Sequence, residues 1–155
     1  MMNFEKIISI APSTIVQLLE DCKNTLQSPK WHPEGNVFNH IKIVYERSME
    51  SEDMDLLITA LFHDLGKVKT TELNKKGDWS AYGHEYVSAK IVEEHKNWIT
   101  GMGANWKNVL FLVKEHMRIK YLDNMRKTKR EELLSHPLIE KLNKFTTYDD
   151  MSAYK

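Results

Sequence analysis

His63 and Asp64 stand side by side at the end of the apolar run Leu56-Leu57-Ile58-Thr59-Ala60-Leu61-Phe62. An imidazole next to a carboxylate, delivered by a hydrophobic segment to its own C-terminal end, offers two ligands to a divalent cation. Further candidates recur at His40, His84 and His116, and a carboxylate pair follows at Asp149-Asp150. Imidazole nitrogen mixed with carboxylate oxygen suits Mn, Fe, Co, Ni or Zn, with Mg possible, and does not choose among them. Adjacent helical residues diverge by roughly 100°. His63 and Asp64 therefore serve one centre only if the ion lies over the helix end, where the two oxygens of Asp64 could bridge two ions. One such histidine is most simply structural; four of them with an acidic pair favour a metal site.

The elements that must position these residues are helical. Ser13 after Pro12 opens a first helix with an apolar face from Ile15 to Leu26, and Pro29, Pro33 and Gly35 end it. A second helix over 37 to about 49 carries His40 on its buried side. Ser51 to Asp53 cap a third, which ends at Gly66, a normal C′ residue. Residues 70–82 read as a short hairpin around Gly77. A fourth helix from about 84 to 98 begins at His84, and a fifth, capped by Asn105, ends at His116. Residues 118–126 read as irregular. A short helix follows from a Thr128-x-x-Glu131 capping box. Pro137 leads a last helix over 138 to about 154. The expected architecture is all-α, a bundle of about six to seven helices with one short β-hairpin, and residues 1–155 form a single domain.

Composition narrows the partners. Lys+Arg and Asp+Glu balance at 22 each, so no bulk field gathers nucleic acid or anionic lipid. Any phosphate must be held locally. The 41% hydrophobic and 28% charged fractions are those of an ordinary globular chain. Cys22 is the only cysteine, which excludes an internal disulfide and suits a reducing compartment. No stretch approaches the roughly 20 apolar residues of a membrane helix, and the apolar residues near Ile7 are too few for a signal peptide. A cytoplasmic location with no membrane partner is expected.

The segments carrying these residues resemble the HD superfamily of metal-dependent phosphohydrolases, and more closely the HD domain of bacterial tRNA nucleotidyltransferases. That domain has a His-Pro-Glu-Gly-Asp-x-x-x-His segment, matched here by His32-Pro33-Glu34-Gly35-Asn36-Val37-Phe38-Asn39-His40. Its other segments are matched by Leu61-Phe62-His63-Asp64-Leu65-Gly66-Lys67, by Tyr82-Gly83-His84-Glu85 and by His116-Met117-Arg118. Asn36 replaces the usual Asp. Nothing resembles the nucleotidyltransferase head, so CCA addition is not expected and the HD domain is expected to be freestanding.

The resemblance implies one metal held by His40, His63, Asp64 and Asp150, and a second completed by His84 and His116 with Asp64 bridging. The family's Ala-Asp-x-x-Ala pattern favours Asp150, with Asp149 able to substitute. Asp64 and Lys67 would be the catalytic residues, and Lys67 and Arg118 would bind substrate phosphate. For Lys67 an ordinary helix C-terminal lysine is the competing reading. For the basic run from Arg118 to Arg130 it is a solvated face. His32 is assigned to its Pro-flanked turn, His95 to the surface, His136 to the start of the last helix, and the four tryptophans to packing. The implied activity is hydrolysis of a nucleotide or RNA-end phosphoester, a 2′,3′-cyclic phosphate or 2′-nucleotide among them, by hydroxide on one or two divalent ions. The alternatives are a mixed-valent di-iron oxygenase using the same ligands and a non-catalytic nucleotide-binding module.

Overall fold

The computed structural model describes residues 1–152. Among these the elements run α1 (Phe4–Ile10), α2 (Ser13–Cys22), α3 (Val37–Ser48), α4 (Met54–Phe62), α5 (Lys67–Thr70), β1 (Glu72–Leu73), β2 (Trp79–Ser80), α6 (His84–Glu94), α7 (Lys96–Gly101), α8 (Trp106–Glu115), α9 (Lys127–Leu134) and α10 (Ile139–Asp149). The two strands pair antiparallel, Glu72 opposite Ser80 and Leu73 opposite Trp79. The all-α expectation holds. The helices are more numerous than expected because α1 and α5 form where no helix was expected and the expected helix over 84 to 98 is divided into α6 and α7.

The apolar run forms α4, and it is central because it has no polar face. Every residue from Asp55 to Phe62 is buried, and a helix apolar all round must be packed on all sides. Here α3, α6, α8 and α10 surround it. The Asp53 side chain accepts from Asp55 N at 2.9 Å and caps the helix. The one hydroxyl in the run is satisfied internally, Thr59 Oγ1 donating to Asp55 O at 2.6 Å. Asp55 anchors the same end. It accepts from Asn105 N and Asn108 Nδ2 at the start of α8 and from Lys141 Nζ on α10, at 2.8 to 3.0 Å. Against burial, these partners hold its carboxyl below the usual range.

Several local expectations change. Gly66 is not a left-handed C′ residue: its φ of −63° and ψ of −19° are helical. Glycine is needed there for space, since a Cβ would lie 2.3 Å from His84 O and 2.8 Å from Ser88 N. Gly66 N donates to Ser88 Oγ at 2.8 Å, fastening the α4–α5 turn onto the start of α6. The N-terminal segment forms α1, capped by Asn3 and seated by buried Phe4 and Ile7. No side chain caps α9, which starts at Lys127, so the Thr128 box is not formed. Residues 118–124 are 3₁₀-helical with a break at Tyr121. The last helix stops at Asp149 rather than near 154, the final residues of that expectation lying outside the described ones. Asn36, the departure from the family's Asp, caps α3 by accepting from Asn39 N at 2.8 Å, a task either side chain performs.

Candidate metal centre

Helix ends bring the histidines together. His63 is the residue after α4, His84 is the first residue of α6, and His116 follows α8, while His40 sits one turn into α3. All four are buried, with Asp64 and Asp149. Around Asp64 the ligand atoms fall into two groups: His40, His63, Asp64 and Asp149 in one, and Asp64, His84 and His116 in the other. Asp64 Oδ2 is 3.2 Å from His40 Nε2 and 3.3 Å from His63 Nε2. Asp149 Oδ1 closes that group at 2.7 Å from His40 Nε2 and 3.2 Å from His63 Nε2. Asp64 Oδ1 turns the other way, 3.0 Å from His84 Nε2 and 3.5 Å from His116 Nε2. Ligands about 2.0–2.2 Å from one ion lie about 3 Å from one another, which is the spacing found in both groups.

The imidazole tautomers fit the same use. His63 Nδ1 donates to Ala60 O at 2.8 Å, His84 Nδ1 to Ala81 O at 2.9 Å and His116 Nδ1 to Val113 O at 2.5 Å. A carbonyl only accepts, so each Nδ1 carries the proton and each neutral Nε2 turns a lone pair inward. His40 Nδ1 does the same with Glu34 Oε2. Burial alone would raise the Glu34 carboxyl, but hydrogen bonds from His32 and His40 bring it down to about 2. Nitrogen faces nitrogen at 3.2 Å in both the His40–His63 and His84–His116 pairs. Lone pairs and carboxylates aimed at one another repel unless a cation lies between them. With no ion a proton must serve: against burial, Asp64 and Asp149 push His63 up to about 10. Burial instead lowers His116 to about 4. The donor set thus fits a divalent cation, with N and O ligands throughout. Burial pushes the Cys22 thiol up to about 12, so it offers no thiolate at neutral pH.

Two lysines flank the carboxylates. Lys67 is buried, its Nζ 3.2 Å from Asp64 Oδ2 and donating to Gln27 Oε1 at 2.8 Å. Lys120 Nζ lies 2.8 Å from Asp149 Oδ2. Against the cost of burial, His63 and Lys67 hold Asp64 well below the usual carboxylate range, and Lys120 and His63 do so for Asp149.

Two assignments are corrected. Asp150 is exposed, and its Oδ1 accepts from Ser152 N at 2.9 Å. It is the C-cap of α10, where the backbone turns to φ −73° and ψ 119° and swings the side chain away, so Asp149 takes the place given to Asp150. Arg118 is not among the residues lining the cleft. Its guanidinium grips both oxygens of Glu115 at 2.9 and 3.0 Å, while Lys120, two residues on, is the cation that reaches Asp149. His95 is half-buried, joining Thr14 Oγ1 at 2.6 Å and Ile91 O at 2.7 Å. His136 stacks on Phe111 at 3.9 Å and accepts from Leu138 N, in keeping with its place before the last helix. Glu34 and Lys120 went unrecognised in the sequence. Glu34 had a signal, six residues before His40 in the first motif; Lys120 had none beyond the basic run.

Above the centre opens a cleft of about 580 Å³ with Lys67 and His84 in its lining. Buried imidazoles and carboxylates gathered at helix ends, beneath an open cleft, make a helical domain whose donor cluster could hold a metal ion. Residues 37–137 match the HD domain family, and the chain belongs to it. That family is one of generally metal-dependent phosphohydrolases, whose members bind divalent metals. The match takes in His40, His63, Asp64, His84 and His116 and stops short of Asp149. No curated protein matches the chain. No helix among the described residues is long and apolar enough to cross a membrane.

Proposed function

We propose that the chain hydrolyses a phosphoester of a nucleotide or an RNA end, with His40, His63, Asp64 and Asp149 holding one divalent ion and Asp64, His84 and His116 a second. The observation that carries this reading is the division of the Asp64 oxygens between two donor groups whose imidazole lone pairs all point inward. Ions bound there would lower the pKa of water towards 7 and offset charge on the phosphoryl oxygens. The chain's own residues do the rest. Asp64 fixes the two positions relative to one another, and the carbonyl-bound Nδ1 groups keep each ring from rotating. Lys67, held by Gln27 and Asp64, and Lys120, held by Asp149, place positive charge where a phosphate would gather it.

Purified protein should be analysed for metal and assayed against 2′,3′-cyclic AMP, 2′-AMP, 5′-dNMPs and an RNA ending in a cyclic phosphate, with Mn, Co, Ni or Mg supplied. Phosphoester hydrolysis that requires an added metal and fails in Asp64→Asn supports the proposal. Oxygen consumption with iron and no hydrolysis would assign the oxygenase chemistry instead. Nucleotide binding that survives His63→Ala, with no turnover in wild type, would leave only a binding module.

A further inference from the structure

Large exposed apolar side chains are not scattered evenly over this molecule. Among the described residues the exposed tryptophans and tyrosines are Trp31, Tyr82, Tyr86 and Tyr121, and all four line the one cleft above the metal centre. Trp31 is 67% exposed and Tyr82 96%, a costly way to place aromatic surface unless something covers it. They come from separate segments: the proline-flanked loop, the approach to α6, α6 itself and the 3₁₀ stretch after α8. Trp31 is therefore not a packing residue. Trp98 and Trp106, by contrast, pack against the core.

The same cleft is lined by Lys67, whose Nζ touches Asp64, and by His84 of the second donor group. An occupant must then present a flat apolar part to the walls and an anion to the floor. Two polar side chains near the walls, Ser28 and Gln27, are already engaged. Ser28 Oγ donates to Asp78 Oδ2 at 2.6 Å, and Gln27 is shared between Gly35 O and Lys67 Nζ. Thr71 Oγ1, also in the lining, has no partner, and a hydroxyl that rotates to donate or accept meets either kind of base edge. Stacking on an aromatic face tolerates every base, since each has a π-face.

We propose that Trp31, Tyr82, Tyr86 and Tyr121 form a base-stacking wall that holds the nucleobase of the substrate without selecting among bases. This rests on the phosphoester reading for the position of the phosphate, but its test does not require turnover. AMP, GMP, CMP and UMP are titrated into metal-loaded wild type, Trp31→Ala, Tyr82→Ala and Trp31→Phe by calorimetry, with ribose 5-phosphate as the base-free control. The expected result is four nucleotides within about tenfold of one another. Each alanine variant should bind them at least fivefold more weakly, within the range measured for losing one stacked ring, while Trp31→Phe stays within threefold of wild type and ribose 5-phosphate is unaffected. The wall is overturned if both alanine variants bind nucleotides within fivefold of wild type, if one base is preferred by more than tenfold, if the losses extend to ribose 5-phosphate, or if no nucleotide binds. Nucleotide binding with these losses but no hydrolysis of any phosphoester would remove the hydrolase reading and leave the wall standing.

Discussion

Replacing Gly66 with alanine tests how the fold holds the two halves of the centre together. The added Cβ would stand 2.3 Å from His84 O, where ordinary contact begins at 3.4 Å, so the carbonyl must retreat by about 1 Å. The two nearest neighbours, His84 O and Ser88 N, are backbone atoms of α6 and cannot rotate aside. Overpacking of this kind costs about 1–3 kcal/mol, and weakening the Gly66 N to Ser88 Oγ bond adds about 0.5–1.5 kcal/mol. Together about 2–4 kcal/mol should be lost, a fall in Tm of roughly 4–16 °C for a chain of this size. The displacement also falls on His84, whose Nε2 stands 3.0 Å from Asp64 Oδ1. Urea unfolding and metal titration on Gly66→Ala should therefore show reduced stability and one weakened ion site, with the His40–His63–Asp149 group still binding. Stability within about 0.5 kcal/mol of wild type, the ordinary scatter of an inconsequential substitution, together with two intact sites, would refute the packing argument.

Other substitutions separate the parts of the centre. Asp149→Asn should abolish binding at the first site, whereas Asp150→Asn should leave metal content unchanged by elemental analysis. Glu34→Gln removes the charged acceptor of His40 Nδ1 and should weaken metal affinity about 10- to 100-fold, as losses of such ligand-orienting partners do, read by calorimetry. The pH dependence of folding should report Asp55. Its carboxyl is lowered in the folded state, so its contribution is present above the unfolded value of about 3.9 and disappears as pH falls through the folded one. Urea midpoints measured from pH 7 to 3 should fall more steeply for wild type than for Asp55→Asn.

Where residues carry their chemistry in type and local spacing, the sequence was legible. His40, His63, Asp64, His84 and His116 all reach the cluster, and the apolar run is the central helix. The failures have physical causes. Choosing between Asp149 and Asp150 required knowing where α10 ends, because one residue past the helix the backbone turns and the side chain swings outward. Gly66 looked like a helix terminator, yet its role is an approach to α6 that no local pattern encodes. The motif places Arg118 beside His116, and only the fold shows that Glu115, three residues earlier, pairs with it. Lys120 acts through a contact 29 residues away in sequence, and Gln27 meets Lys67 across 40; such pairings exist only once the helices have packed. α1 was missed because seven residues carry too little periodicity to stand out from a short apolar stretch.

The proposed chemistry turns on Asp64 being shared between two ions. Anomalous diffraction from crystals grown with Mn tests it most directly. Two peaks are expected about 3.5–4 Å apart, one among His40, His63 and Asp149, the other beside His84 and His116, with Asp64 between them. A single peak within this cluster at saturating Mn, or none, would contradict it.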